Sequence, residues 1–249
     1  MNFNFAKSFV VPCLMLLCAA GECAPTTDAL FQEGVEACRA GQYTAAAHAF
    51  QNSLRQKPAS GTLLNLGLAE WRRGRVGEAV RSWEQAAWLD PFNTDARINL
   101  RFARELAQLE PPDFTWYEAA STWLPAGTWA WIAGVSLWLA VAMATLPGIL
   151  RVRKTGWHQS MAAVGLVVFL LSLPAYVGVV TRAQFGIVLE RNAQLRLTPT
   201  QEAETVASLS AGETARKLRA RGDYYFIRTQ RGSGWIERKQ FGLLCPAPN

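Results

Sequence analysis

The sequence predicts a multidomain protein in which an all-α helical-repeat array, two transmembrane helices and a small all-β barrel follow one another. Three observations lead to this fold class. Small, aromatic and proline residues recur with a spacing of 33 near the N-terminus, two uncharged apolar runs occupy the middle of the chain, and short strand-like runs with glycine turns follow. Half of the 249 residues are hydrophobic, and that excess is concentrated in three apolar stretches.

The segment 25–110 carries the repeat. Its matched pairs are Gly34 and Gly67, Ala46 and Ala79, Phe50 and Trp83, and Pro58 and Pro91. A period of about 34 residues is typical of helix–turn–helix repeats. Small residues let two helices cross closely, the aromatic residues fill the space between them, and proline ends the second helix. The pattern resembles the tetratricopeptide repeat, although Ala37 and Glu70 stand where that family has a tyrosine. We expect two repeats and a capping helix that begins near Asn93.

The first helices of the repeats are expected to line a concave, peptide-binding groove. Its predicted residues are Phe31, Gln32, Val35, Arg39, Leu64, Asn65, Leu68, Trp71, Arg72, Ile98, Asn99 and Phe102. Gln32, Asn65 and Asn99 share one repeat position, and a row of amides can pair with the backbone of an extended peptide. Arg39 and Arg72 can attract an acidic side chain or a C-terminal carboxylate. The alternative is that the amides serve the fold and that the arginines are merely solvated.

Two uncharged runs, 127–150 and 160–181, predict transmembrane helices, because about 20 apolar residues suffice to cross a bilayer. The segment between them, 151–159, carries Arg151, Arg153 and Lys154, which the positive-inside rule assigns to the cytoplasm. Ahead of the first run, 111–126 predicts an interfacial linker that belongs to an aromatic collar. The collar comprises Trp116, Tyr117, Trp123, Trp129 and Trp131.

A signal peptide is predicted at 1–24, where Lys7 precedes a short apolar centre and small residues. Cleavage is expected after Ala20 or a few residues later, and a retained anchor helix is the alternative. Export of the N-terminal region, followed by two spans, predicts an inner-membrane protein whose N- and C-terminal domains are both periplasmic.

The C-terminal segment 183–249 reads as short strands, with turns at Gly222-Asp223 and Gly232-Ser233-Gly234. Together with the run Gly234-Trp235-Ile236, it resembles bacterial SH3-like domains, whose relatives are associated with cell-wall peptides or protein partners. Trp235 is expected to be largely buried against the strand that holds Tyr225 and Ile227. From residue 183 onward there are ten Lys/Arg against six Asp/Glu. That excess fits either a solvated basic face or contact with anionic lipid or cell-wall polymer.

Catalytic chemistry is not indicated. The two histidines, His48 and His158, are predicted on opposite sides of the membrane, so neither a metal cluster nor a histidine-based triad is expected. We therefore expect no enzyme, no metal, no cofactor and no nucleic-acid partner. Whether Cys38 and Cys245 form a disulfide stays open at this point, and a buried free thiol at Cys38 is the favoured state.

The order of these parts resembles the E component of the Bacteroides aerotolerance (Bat) group. That resemblance rests on domain order and covers nearly the whole chain. It implies von Willebrand A-type membrane proteins and an AAA-type ATPase of the MoxR kind as partners, in addition to the lipid bilayer. The function it implies is a protein-interaction scaffold in an aerotolerance or envelope-stress assembly. The alternative is a cell-wall receptor that uses the SH3-like domain on peptidoglycan.

Overall fold

The computed structural model describes residues 26–150 and 156–245, where helices and an antiparallel sheet occur in the predicted order. The predicted signal peptide and the basic residues of the predicted cytoplasmic loop lie outside the described residues. The helices of the array are α1 Thr27–Arg39, α2 Tyr43–Gln56, α3 Ser60–Arg72, α4 Val76–Leu89 and α5 Thr94–Ala107.

The repeat pairs predicted from the sequence are packing partners in the array. A Cβ atom on Gly34 would lie 2.5 Å from Cε1 of Phe50, and one on Gly67 would lie 2.5 Å from Cδ1 of Trp83. Both aromatic rings are buried in the space that these glycines leave. The helix α2 ends two residues before Pro58, and α4 ends two residues before its counterpart Pro91. The predicted helix crossings are therefore present in both repeats.

Ala37 and Glu70, which stand where the tetratricopeptide pattern has a tyrosine, lie in different environments. Ala37 is half-buried, whereas Glu70 is buried and its two carboxylate oxygens both accept hydrogen bonds of 2.9 Å from Nη1 of Arg73. An ion pair thus occupies the inter-helix position in the second repeat.

Three further helices connect the array to the sheet. These are α6 Trp116–Ser121, α7 Ala126–Ile149 and α8 Gly156–Arg182. Both α7 and α8 are long and apolar enough to span a membrane. Only 17% and 22% of their most apolar windows are buried, whereas a core helix of a soluble protein is mostly buried. They pack on each other where Gly165 meets Ser136 and Ala140.

The helix α8 begins at Gly156, so residues 156–159 of the predicted loop are helical. Hydropathy marks the apolar part of such a helix and does not mark its first turn. The helix α8 is therefore longer than the apolar run from which the span was predicted.

The C-terminal strands form one antiparallel sheet in the order β3-β2-β6-β5-β4-β1-β7. They are β1 Phe185–Val188, β2 Ala193–Arg196, β3 Thr205–Leu209, β4 Thr214–Arg221, β5 Tyr224–Thr229, β6 Gly232–Glu237 and β7 Phe241–Leu243. The described pairings run from β3 at one edge to β7 at the other. They establish an all-β region, and they do not establish a closed barrel.

Trp235 packs against the strand that holds Tyr225 and Ile227, as predicted, and it is half-buried there without being part of the core. Adjacent residues of a strand point to opposite faces. In β6 the inward residue is Ile236, which is fully buried with Ile227, while Trp235 is half-buried on the outer face. The ring of Trp235 packs on Phe226, 5.2 Å between centroids. The strand register therefore makes Ile236, and not the larger Trp235, the core residue of β6.

The array and the sheet share a hydrophobic core. Val80 and Trp83 of α4 belong to the same buried cluster as Phe185 and Ile187 of β1. A Cβ atom on Gly77 would lie 2.6 Å from Cα of Leu189, so glycine is needed for the chain after β1 to pass this closely. The repeat array therefore forms one packed unit with the sheet.

The crossing of α3 and α4 is tested by Gly67→Ala. The new methyl group would collide with the buried indole of Trp83, so we expect a loss of about 1–3 kcal/mol in the free energy of unfolding. The measurement is denaturant unfolding of the detergent-solubilised chain. Gly61→Ala in the same helix is the matched control, since nothing lies within 4 Å of its Cβ position. It should be neutral or stabilising, and equal losses in the two variants would contradict the crossing.

Candidate functional site

The predicted groove is an apolar surface formed by α3 and α5. Leu68 is exposed, and Ile98 and Phe102 are 52% and 53% exposed. The half-buried indole of Trp71 lies 5.7 Å from Trp83 and 5.9 Å from Phe102 between ring centroids. The rings of Phe102, Trp71 and Trp83 thus form a continuous row that connects this surface to the core.

Sequence analysis missed one member of this surface. Leu106 is 65% exposed and lies one turn beyond Phe102 on α5. Its signal was available, because positions 98, 102 and 106 recur every four residues and therefore share a helix face. We call Leu68, Trp71, Ile98, Phe102 and Leu106 the apolar stripe.

The other predicted groove residues fall into different environments. On α1, Phe31 and Val35 are half-buried, and the Phe31 ring packs on Phe50 at 5.7 Å. Leu64 is half-buried against two core clusters, and its carbonyl accepts a 3.2 Å hydrogen bond from Nε1 of Trp83. The side chain of Leu64 therefore contributes to the core.

The amide row is not uniformly available. Gln32 is exposed and Asn99 is half-buried. Nδ2 of Asn65 donates a 2.8 Å hydrogen bond to the carbonyl of Gly61, one turn earlier in its own helix. This bond uses one amide donor of Asn65 within α3.

Two of the predicted groove residues are exposed cations. Arg39 and Arg72 are exposed at the last turns of α1 and α3. Within residues 26–150 and 156–245, neither arginine is part of a salt bridge. Both guanidinium groups are therefore accessible to an anionic group of a ligand.

A buried carboxylate joins α6 to the sheet and to α8. Glu118 of α6 is fully buried, and it accepts hydrogen bonds of 2.7 and 2.9 Å from Nη2 of Arg216 in β4. Its Oε2 also accepts a 2.9 Å bond from the backbone N–H of Thr115. Burial alone would raise the pKa of Glu118, but the hydrogen bonds from Thr115 and Thr181 and the charge of Arg216 outweigh it. The pKa of Glu118 therefore lies below its ordinary value.

The end of α8 is attached at the same junction. The guanidinium of Arg182 lies 4.6 Å from the ring centroid of Trp88 in α4, and Nη1 donates a 3.0 Å hydrogen bond to Ser121. A Cβ atom on Gly178 would lie 2.7 Å from the carbonyl carbon of Tyr117, so α6 and α8 are in close contact. The groove is consequently held at a fixed position above the end of α8.

Other candidate chemistry does not converge in the described structure. No group of three or more His, Cys, Asp or Glu residues suited to a metal ion occurs within 26–150 and 156–245. Cys38 and Cys245 are free, and burial raises the pKa of the Cys38 thiol.

Comparison with known families identifies the array. A family model described as tetratricopeptide repeat matches residues 31–94, which extend from α1 to the start of α5. The chain thus contains tetratricopeptide repeats, a class of helical repeat that generally mediates protein–protein interaction. A search of curated proteins found no match.

The two buried carboxylates predict opposite responses to acid. The folded-state pKa of Glu118 is lowered, so its contribution is present above the unfolded value of about 4.3 and is lost as the pH falls through the folded value. Desolvation raises the pKa of Glu70, and the charges of Arg73 and Arg75 offset only part of that effect. Protonation of Glu70 as the pH falls through its raised pKa therefore adds stability.

Glu118→Gln should lose about 3 kcal/mol at neutral pH, the lower end for a broken buried pair because Arg216 keeps some access to water. It should also lose less stability on acidification below about pH 4 than the unchanged chain. In the matched variant Glu70→Gln, the gain on mild acidification should disappear. Unfolding free energies measured across this pH range check both variants, and identical pH profiles in the two would contradict the assignment.

Proposed function

We propose that this chain is an inner-membrane protein-interaction scaffold whose repeat groove binds a peptide of a membrane partner. The observation that carries the proposal is the apolar stripe, which is exposed on the second tetratricopeptide repeat and on the helix α5 that follows it. A peptide with apolar side chains would cover the stripe, and an acidic group on it would meet Arg39 or Arg72. No catalytic, metal or cofactor role is part of the proposal.

The membrane placement rests on α7 and α8. Large apolar side chains are exposed along both helices, and a bilayer would cover them. Trp116, Trp123 and Trp131 of the aromatic collar are exposed near one end, and Trp157 is exposed at the start of α8. Indole rings favour the headgroup level. The distribution suits two spans with an aromatic belt at each surface.

The array and the sheet share a core, so both lie at the same end of the two helices. We place that end in the periplasm, because the basic segment between the spans belongs in the cytoplasm and a signal peptide would export the N-terminal region. The resemblance of the domain order to the Bat group supports a Bat-type aerotolerance or envelope-stress assembly. Von Willebrand A-type membrane proteins are then the partners to test first.

Topology reporters test this orientation. A reporter joined after Glu110 and one joined after Asn249 should both give the exported signal, because each follows a periplasmic domain. A reporter inserted between Arg153 and Lys154 should give the cytoplasmic signal. A cytoplasmic signal from either of the first two fusions would refute the orientation.

Phe102→Ala tests the groove. Removal of a half-exposed ring from the apolar stripe should reduce partner recovery at least about tenfold, as expected for an aromatic anchor worth about 2 kcal/mol. The measurement is affinity capture of von Willebrand A-type membrane proteins from solubilised membranes that contain the full-length variant.

Phe92→Ala is the matched control, since Phe92 is 68% exposed in the turn before α5 and lies outside the stripe. It should leave the recovery unchanged. Equal recovery by the Phe102 variant and the unchanged chain would exclude the stripe as the binding site.

A second candidate function is cell-wall binding by the sheet, which the resemblance to SH3-like domains suggests. It is favoured by a polar cleft of about 700 Å³ between residues 108–115 and strands β4 and β5. Arg216, Arg228 and Arg231 line this cleft together with Glu110 and Asp113. Co-sedimentation of the solubilised chain with purified peptidoglycan, unaffected by Phe102→Ala, would favour this function over the scaffold.

A further inference from the structure

The outer face of the sheet carries an aromatic pair between arginines. The strand register places Arg219, Phe226, Trp235 and Arg196 in one row across β4, β5, β6 and β2. Ile227 and Ile236, their neighbours in sequence, point into the core, so this row lies on the opposite face. In the next row along β4 and β5, Arg221 is opposite Tyr224.

The segment that forms the hairpin and β6 is strongly basic. Residues 217–239 contain seven Lys/Arg and two Asp/Glu. Arg219, Arg221 and Arg228 are exposed, and none of them forms a salt bridge with another residue of the described ranges. Arg228 lies directly opposite Arg216, whose charge is already matched by Glu118. Like charges opposite each other destabilise a strand pair, so an external anion beside Arg228 would be stabilising.

The β4–β5 hairpin extends past the end of α8. The strand β1 starts three residues after α8 ends, and β4 returns antiparallel to it, with Arg216 opposite Phe185. The N–H of Lys217 donates a 2.8 Å hydrogen bond to the carbonyl of Gln184, two residues after α8. β4 continues to Arg221, which is about 17 Å beyond Arg216 at the usual rise of a strand. The hairpin thus extends beyond the α8–β1 junction, in the direction opposite to β1.

We propose that the β4–β5 hairpin binds anionic lipid head groups at the surface of the bilayer that α8 crosses. Arg219 and Arg221 would contact lipid phosphates, and the exposed Leu218, which precedes Arg219 in β4, would enter the boundary of the acyl region. Tyr224 and Phe226, half-buried on the same face, suit the headgroup level.

Lipid is the favoured occupant because the hairpin is tethered to the end of a membrane helix. A short tether keeps its arginines at a high effective concentration beside the bilayer, whereas a soluble acidic partner must be recruited. The inference rests on the proposed membrane placement of α7 and α8. The function of the lipid contact is to hold the sheet, and through the shared core the groove, close to the membrane surface.

The test reconstitutes the full chain in vesicles of phosphatidylcholine alone and in vesicles with about one third phosphatidylglycerol. Hydrogen exchange of residues 217–228 should be about fivefold slower, or more, in the anionic vesicles, as one arginine contact with the membrane surface would give. About 1 M NaCl should abolish the difference, because it shortens the screening length to about 3 Å. Arg219→Glu with Arg221→Glu should remove the difference as well.

The matched control reverses two other exposed arginines, Arg55→Glu with Arg191→Glu, and should keep the difference. Exchange of residues 234–236 in the core strand verifies that each variant is folded.

Equal exchange in the two kinds of vesicle overturns the proposal. So does slower exchange caused by an added acidic peptide and not by phosphatidylglycerol, since the partner would then be a protein. Extraction of the chain by alkaline carbonate would refute the membrane placement itself, which separates the two failures.

Discussion

The buried carboxylate of Glu118 is the constraint on which the arrangement of the described structure depends. A carboxylate removed from water is tolerated only where charge and hydrogen bonds replace its hydration. Glu118 obtains them from Thr115 beside it and from Arg216, which is 98 residues away in the chain. These partners meet only when α6 lies on α8 and β4 passes the junction. The surroundings of this one carboxylate therefore join α6, α8 and the sheet at a single junction.

The short repeat array is stabilised by the sheet. Stacked repeats draw most of their core from their neighbours, so a two-repeat array leaves much apolar surface uncovered. Here the outer side of α4 is covered by β1 and β7, and Nε2 of Gln85 donates a 3.0 Å hydrogen bond to the carbonyl of Leu244. The sheet thus buries a side of α4 whose counterpart on α2 is exposed to solvent. The apolar stripe remains uncovered, which suits it to a partner.

Features set by local periodicity were predictable from the sequence, and features set by distant contacts were not. The glycine–aromatic pairs of the repeats, the capping helix α5 and the two long apolar helices follow from spacing and composition. The exposure of Leu68, Ile98 and Phe102 was expected for the same reason. Burial of Glu118 could not be predicted, because its partner belongs to another domain. The close contact at Gly77 could have been inferred from the sequence. The first repeat has Thr44 at the equivalent position, and glycine stands in the second repeat where the chain after β1 passes α4.

The contact at Gly77 also restricts how such a protein can evolve by duplication. In the first repeat the corresponding surface of α2, including Thr44 and His48, is exposed to solvent. In the second repeat it is covered by the sheet, and α5 leads directly into the segment that positions Glu118. A repeat inserted after α4 would separate these surfaces, whereas a repeat added ahead of α1 would leave them in place. The lineage can therefore lengthen its repeat array in one direction only, away from the end that packs on the sheet.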